Sequence, residues 1–361
     1  MSLETIVQGG RGKIAKYVVE KKWTPSQELA KMNTYVQRSQ IDKILDHDAD
    51  VYVRIPSVKE GDEKGEEKLL LRFRKGVLSS EKLEEFYENV IDFAHHTSEN
   101  RGNASGNNAK RGVAYNKSVK SNILGFFDRW SPSQKRKFRE SGMKAELDIR
   151  PCRFNMENPD KYQHLLPLLK EIDQWYARLV PECYQKQARK ARSIPEFRID
   201  GTAFTTVTTN INYRTTIHTD KGDDEEGFGN LVVLERGEYT GGETCFPQYG
   251  LGVDVREGDV LFMDVHEPHG NLPIKSVRAA EGEKEAIRLS VVCYLRKKIW
   301  EKTRGKTRKQ LQDWHEKFLK FSGISDKKIE DKHNEKRKTM KKKGGGGNGI
   351  FSTAILSSFY N

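Results

Sequence analysis

Two periods of hydrophobic spacing divide this chain. In SSEKLEEFYENVIDFAHH (79–96), apolar residues recur every three or four positions, Ser79 or Ser80 stands where a cap belongs, and Glu residues fill the first turn. That pattern predicts a helix. In HLLPLLKEIDQWYARLVPECYQKQARKAR (164–192), Leu165, Leu169, Ile172, Trp175, Tyr176 and Leu179 keep the same spacing and predict one amphipathic helix packed on a sheet. From about 197 the period shortens. FTTVTTN, YRTTIHT, NLVVLER, GGETCFP, LGVDVRE, GDVLFMDV and IRLSVVCYL are short β-branched runs broken by Gly, Asp and Asn. Strands this short with regular turns predict a β-sandwich or barrel. The expected architecture is α+β, with an all-β core at 197–300 and helices from 79–192 covering one face.

The flanks read differently. Two β-rich pieces, VYVRIPSV (51–58) and KLLLRFRKG (68–76), are separated by a charged hairpin or loop, KEGDEKGEEK. TSENRGNASGNNAKRG (97–112) is a long polar loop, of the sort that is either functional or disordered. Beyond the core, RKQLQDWHEKFLKFSG predicts a helix carrying Leu311, Trp314, Phe318 and Leu319, followed by a basic, glycine-ended segment. The expected organisation is a mixed α/β extension at 1–96, a main domain at 97–300, a basic helical or flexible tail at 301–343, and a Gly-rich linker with a C-terminal segment at 344–361.

Charge changes the picture. Lys and Arg number 64 against 52 Asp and Glu, a net +12. Such an excess favours a polyanionic partner, with nucleic acid ahead of an acidic membrane surface, although solubility alone also accounts for it. The four cysteines, Cys152, Cys183, Cys245 and Cys293, are far apart and form no C-x-x-C pair. This argues against a disulfide framework or a cysteine zinc site and for a reducing compartment. No stretch approaches the roughly 20 apolar residues of a membrane span, and the first residues lack a secretory pattern. The expectation is a soluble intracellular protein, nuclear in a eukaryote and otherwise in host or bacterial cytoplasm, with no membrane role and no obligate protein partner evident.

The chemistry lies in YRTTIHTDKGD (213–223). On a strand, residues i and i+2 share a face, so His218 and Asp220 present an imidazole and a carboxylate side by side. H-x-D alone is weak, because a strand-end histidine is usually a surface residue. GDVLFMDVHEPHGN supplies two further histidines, His266 and His269. Pro268 forces a turn that favours His269 as the residue folding back toward His218. Two imidazoles and one carboxylate with positions left open form the donor set of non-haem Fe(II) oxygenases. In AIRLSVVCYLR, Arg288 and Ser290 again share a face. Together they suit a bound carboxylate, whereas alone they would read as edge-strand surface residues.

The order H-x-D, H, R-x-S resembles the 2-oxoglutarate- and Fe(II)-dependent dioxygenases. The flanks NRGNASG, SNILGFFDR and FTTVTTNINYRTTIHTDKGD, with the stretch from GFGNLVV to HGNLPI, look like their TET/JBP branch of nucleic-acid base oxygenases, over most of 97–300. That resemblance implies a double-stranded β-helix (jelly-roll, cupin-like) core with helices on one face. It implies Fe(II) on His218, Asp220 and His269, 2-oxoglutarate on Arg288 and Ser290, and O2 as co-substrate. Arg214 stands where some members contact 2-oxoglutarate. Asp223 stands where some place an acid beside the exocyclic amine of a flipped base, and it reads equally as a solvated loop acid. The implied reaction is oxidation of a base methyl group in DNA, 5-methylcytosine first, with thymine or N6-methyladenine as alternatives. Lys110, Arg111, Lys117, Lys120 and the 301–343 tail are candidate phosphate contacts. A prolyl or lysyl side-chain hydroxylase, or a non-catalytic basic DNA-binding protein, are the competing readings.

Overall fold

A computed structural model describes residues 2–9, 12–56, 65–97, 119–130, 135–136, 140, 147–276 and 285–321. The expectations for the 98–112 part of the polar loop, for Lys110, Arg111 and Lys117, and for 322–361 therefore lie outside the described residues. The strands are β1 (Ser2–Gly9), β2 (Gly12–Val19), β3 (Lys43–Leu45), β4 (Ala49–Ile55), β5 (Glu66–Arg74), β6 (Ser121–Phe127), β7 (Arg150–Pro151), β8 (Thr206–Ile211), β9 (Gly229–Arg236), β10 (Tyr239–Gly241), β11 (Thr244–Phe246), β12 (Leu251–Val253), β13 (Val260–Met263), β14 (Gly270–Asn271), β15 (Ile274–Ser276) and β16 (Ile287–Tyr294). They form a large sheet, β1-β2-β4-β5-β13-β9-β16-β8-β6-β7, a small sheet, β14-β11-β12-β3, and a β10-β15 ribbon.

From residue 206 the chain winds between the two sheets. The strands β8, β9, β13 and β16 enter the large one, and β11, β12 and β14 enter the small one. This alternation is a double-stranded β-helix, as the motif order implies. Side-chain parity shows how it packs. On β9 and β13, Val232, Leu234, Val260 and Phe262 face the helices, while Leu231, Val233, Leu261 and Met263 face the small sheet with Phe246, Leu251 and Val253. On β16, Leu289, Val291 and Cys293 take the helical side. Alternation therefore turns Arg288, Ser290 and Val292 into the space between the sheets.

The N-terminal strands extend both sheets. β5 pairs with β13 (Leu71↔Met263), and β3 runs parallel to β12 (Lys43↔Leu251). Strands β4 and β5 pair antiparallel around the charged stretch, as its hairpin reading requires.

On the outer face, the Ser80–Ala94 helix starts at Ser79, whose hydroxyl accepts from Lys82 N, and buries Leu83, Phe86, Tyr87, Val90 and Ala94. The predicted helix at 164–192 is instead two, Pro159–Leu179 and Pro181–Arg192. Pro181 has no N–H to continue the ladder, and the residue before a proline is driven from helical geometry. Val180 accordingly sits at φ −131°, ψ 60°. Tyr176 stacks on Phe262 of the sheet with ring centroids 5.2 Å apart. The last helix, Arg308–Phe321, docks: Leu311 and Trp314 are buried with Trp130, Ile149, Phe197 and Ile299. Among the described residues no helix is long and apolar enough to cross a membrane.

YRTTIHT was expected to be a strand and is not a regular one. It is held by isolated bridges, Tyr35↔Thr216 and His218↔His269, between two different segments. Asn33, whose short polar side chain tolerates its φ of 62°, turns the 33–36 segment alongside it. Asn33 N then donates to Ile217 O (2.8 Å) and Ile217 N to Thr34 O (2.7 Å).

The docked C-terminal helix makes two predictions. Trp314→Ala should cost about 3–5 kcal/mol of unfolding free energy in a denaturant titration, as for a buried aromatic. His315 is buried between Phe126 and Phe197, and burial pushes its imidazole down to about 4. The folded value lies below the unfolded one, so the unfolded chain binds the extra proton. This contribution is complete above about pH 6.5 and is lost as pH falls toward 4, about 3 kcal/mol in all. His315→Leu should lose correspondingly less stability than the parent between pH 7 and pH 4.

Candidate metal centre

The His218↔His269 bridge is made by the backbone: His218 N donates to His269 O, and His269 N to His218 O, both at 2.9 Å. It brings together two stretches about fifty residues apart. The imidazole centroids then lie 4.5 Å from one another. Asp220 faces both rings, with Oδ1 3.6 Å from His218 Nε2 and Oδ2 3.6 Å from His269 Nε2. One ligand atom from each of the three residues lies within 4.8 Å of the others.

Both rings are oriented through the opposite nitrogen. His218 Nδ1 is 2.7 Å from Thr216 O and His269 Nδ1 is 3.0 Å from Glu267 O. A carbonyl only accepts, so each Nδ1 carries the proton and each Nε2 presents its lone pair to the common centre. Gly270 allows the approach, since a Cβ there would stand 3.0 Å from Val36 and 3.3 Å from Thr216 O. Asn271 clamps the two stretches: its Oδ1 accepts from Thr215 N (2.7 Å) and Thr215 Oγ1 (2.8 Å), and its Nδ2 donates to Tyr213 O (3.2 Å). Burial by itself would lower the His269 imidazole, but the Asp220 carboxylate, the Glu267 carbonyl and the charge of Asp264 together outweigh it and leave the group above its ordinary value. A proton here does what a cation would do better, because a divalent ion placed between the three donors satisfies all of them. Two neutral imidazoles and one carboxylate, with Asp220 still partly open, fit Fe(II) with coordination positions to spare.

His266 is placed elsewhere. Its Nδ1 lies 3.2 Å from Asp264 Oδ1, and that hydrogen bond raises its imidazole. Although burial raises Asp264, hydrogen bonds from His266 and Lys68 hold its carboxyl down at about 2. His266 is thus held by Asp264, which also takes Lys68, and is not among the three converging donors.

Behind the three donors lies a cavity of about 350 Å³. Thr208 and Asn210 of β8 and Arg288, Ser290 and Val292 of β16 line it, the inward parity of both strands. Arg288 is buried, and burial lowers its guanidinium, while the Tyr239 hydroxyl, itself donating to Glu235, and the Glu235 carboxylate work against that lowering. Among the described residues Arg288 forms no direct ion pair; the Glu235 carboxylate acts on it at longer range, so the guanidinium can still take a carboxylate in the cavity. Gly242 makes room for it, since a Cβ there would lie 2.9 Å from the Arg288 Cδ and Nε. Ser290 Oγ accepts from Asn210 Nδ2 at 3.2 Å, and Asn210 Oδ1 accepts from Ser121 Oγ. Its own proton is left to donate into the cavity. A cation and a hydroxyl side by side in this wall fit the carboxylate of 2-oxoglutarate.

Two residues named from the sequence behave differently. Arg214 does not line the cavity. Its guanidinium lies 4.4 Å from the Tyr35 ring centroid and donates to Val36 O at 3.2 Å, on the side of the 33–36 segment. Its neighbours Tyr213 and Thr215 take the inward positions. Asp223 does line the cavity, is buried, and bridges to Arg296. Asn210, Tyr239, Asn271 and Arg296 were not anticipated. Asn210 and Asn271 carried a signal, each standing two residues from another cavity residue. Arg296 carried it too, two residues from Tyr294 in the alternation that starts at Arg288, whereas Tyr239 did not, because its place depends on tertiary packing.

Residues 138–297 match the Tet_JBP family, described as the oxygenase domain of the 2OGFeDO superfamily. The chain is 32% identical over 174 residues to the bifunctional helicase and thymine dioxygenase JBP2 of Leishmania braziliensis, covering 48% of this chain and 14% of that protein. It is 32% identical over 185 residues to the thymine dioxygenase JBP1 of Trypanosoma brucei brucei, covering 51% and 20%. The chain thus spans a fifth or less of the length of these relatives. Among solved structures, NgTET1 in complex with 5mC DNA aligns with a TM-score of 0.43 at 14% identity, over 82% of this chain and all of that one.

If the third ligand is His269, its replacement by Ala should weaken Fe(II) binding by more than about 100-fold, beyond what outer-sphere changes cause. His266→Ala should leave it within a few-fold. Anaerobic equilibrium dialysis of the two variants checks this.

Proposed function

We propose that this chain, whose residues 138–297 carry the Tet_JBP oxygenase domain of the 2OGFeDO superfamily, is an Fe(II)- and 2-oxoglutarate-dependent dioxygenase acting on a base methyl group in DNA. The carrying observation is the convergence of His218 Nε2, Asp220 and His269 Nε2 at the cavity whose wall holds the buried Arg288. In this reading His218, Asp220 and His269 hold the metal, and Arg288 with Ser290 holds the distal carboxylate of 2-oxoglutarate. The bound iron, with 2-oxoglutarate and O2, supplies the oxidising power for hydroxylation of an unactivated methyl group.

The chain's own residues do the rest. Arg288 and Ser290 fix one end of the cosubstrate, so that its other end meets the metal side of the cavity. Asn210 orients the Ser290 hydroxyl for that contact. The buried walls from β8, β9 and β16 exclude bulk water. A cavity within the barrel is out of reach of a base stacked in a duplex, so the target nucleotide must be extruded.

Thymine and 5-methylcytosine share the C5 methyl group and differ in the group beside it. Asp223, on the cavity wall, would accept a hydrogen bond from the exocyclic amine of 5-methylcytosine, whereas thymine offers a carbonyl there. The sequence relatives named for thymine oxidation keep thymine as the paired candidate.

Mass spectrometry of nucleosides tests the reading, after incubation of the chain with Fe(II), 2-oxoglutarate and DNA carrying thymine, 5-methylcytosine and N6-methyladenine. A hydroxymethylated pyrimidine is expected, and is to be lost in His218→Ala. Product on proline- or lysine-containing peptides with none on DNA would reject it.

A further inference from the structure

Arg296 lines the cavity and also lies against Phe127, its guanidinium carbon 4.3 Å from the ring centroid. Two more guanidiniums share that ring, Arg129 at 5.5 Å and Arg150 at 5.6 Å. The fold gathers them from three places. Phe127 ends β6, Arg129 follows two residues later, and Arg150 is brought across by the Phe127↔Arg150 pairing of β6 with β7. Lys302 adds a fourth cation, donating to Asp128 O and standing 3.6 Å from Asp148 Oδ2. Lys135 also pairs with Asp148, at 2.7 Å.

Three carboxylates stand among these five cations, one of them Asp223, whose charge acts on Arg296 at the cavity wall. Asp128 is taken by Arg296 Nε at 2.8 Å, and Asp148 is shared by Lys135 and Lys302. Arg129 is exposed and forms no ion pair among the described residues. Arg150 spends Nε and Nη1 on the carbonyls of Arg129 and Pro151. The aromatic face eases the crowding of like charge but does not neutralise it. An anion is what completes such a cluster, and guanidinium groups match phosphate oxygens in shape as well as sign.

The position selects the anion. The cluster starts at the cavity wall through Arg296 and reaches the surface at Arg129. A nucleotide extruded into the cavity leaves its backbone outside the barrel, where flanking phosphates need a partner. We propose that Phe127, Arg129 and Arg150, backed by Arg296, form a seat for a backbone phosphate of the strand that carries the target base. The choice of nucleic acid as the polyanion rests on the proposed function.

The test is the salt dependence of binding, followed by anisotropy of a fluorescein-labelled DNA duplex titrated with the full chain over a range of KCl concentrations. Arg129→Ala should reduce the slope of log K against log salt by about 1, and Arg129→Ala with Arg150→Ala by about 2, equally for methylated and unmethylated duplexes. Arg129→Lys should retain most of the slope. The single Arg129 variant changes an exposed side chain and guards against loss of the Arg150 backbone contacts. Succinate release from 2-oxoglutarate without DNA should be unchanged in every variant. Unchanged slopes, or a parent chain that binds no duplex, overturn the phosphate seat. Altered slopes without any base oxidation by the parent would instead remove the proposed reaction and leave the seat standing.

Discussion

Everything at the centre depends on one pair of backbone hydrogen bonds, those exchanged by His218 and His269. Without them the H-x-D turn and the H-G-N turn are two unrelated loops. With them, two imidazoles and a carboxylate meet at ligand distance, and the neighbouring carbonyls of Thr216 and Glu267 decide which nitrogen of each ring faces inward. The remaining structure keeps that bridge in register. The 33–36 segment flanks it on one side, Asn271 ties the two turns together, and the small sheet carries His269 through β14.

The second constraint is parity. β16 gives one face to the helical layer and the other to the cavity, so burying Leu289, Val291 and Cys293 obliges Arg288 and Ser290 to point inward. A slip of one residue would bury the hydrophobic side chains in the site and expose the arginine to the helices. Packing of the core and placement of the cosubstrate contacts are therefore the same fact seen from two sides. The same holds for β8, where Val207 and Ile211 face the helices while Thr208 and Asn210 line the cavity.

Much of this was legible in the sequence, because period-two alternation writes inward and outward faces directly into the residue order. R-x-S on β16 is such a pair, H-x-D was read as one although its segment is held by an isolated bridge and not by a regular strand, and Pro268 marked the turn that separates His266 from His269. Local chemistry also wrote the Ser79 cap. Long-range partners left no trace. Nothing local shows that β3 completes the small sheet, that Arg214 turns to Tyr35, or that Tyr239 supports Arg288. The helix break at Pro181 was readable but was overridden by an apolar pattern that runs up to it. The docking of Trp314 could not be separated from the basic charge around it, since burial of one helix face depends on what the rest of the chain presents.

Anomalous diffraction at the iron edge, from crystals grown anaerobically with Fe(II) and 2-oxoglutarate, addresses the central claim most directly. The account predicts a single strong peak within bonding distance of His218 Nε2, His269 Nε2 and an Asp220 oxygen. A peak on the Asp264–His266 pair, or none between the three donors, would contradict it.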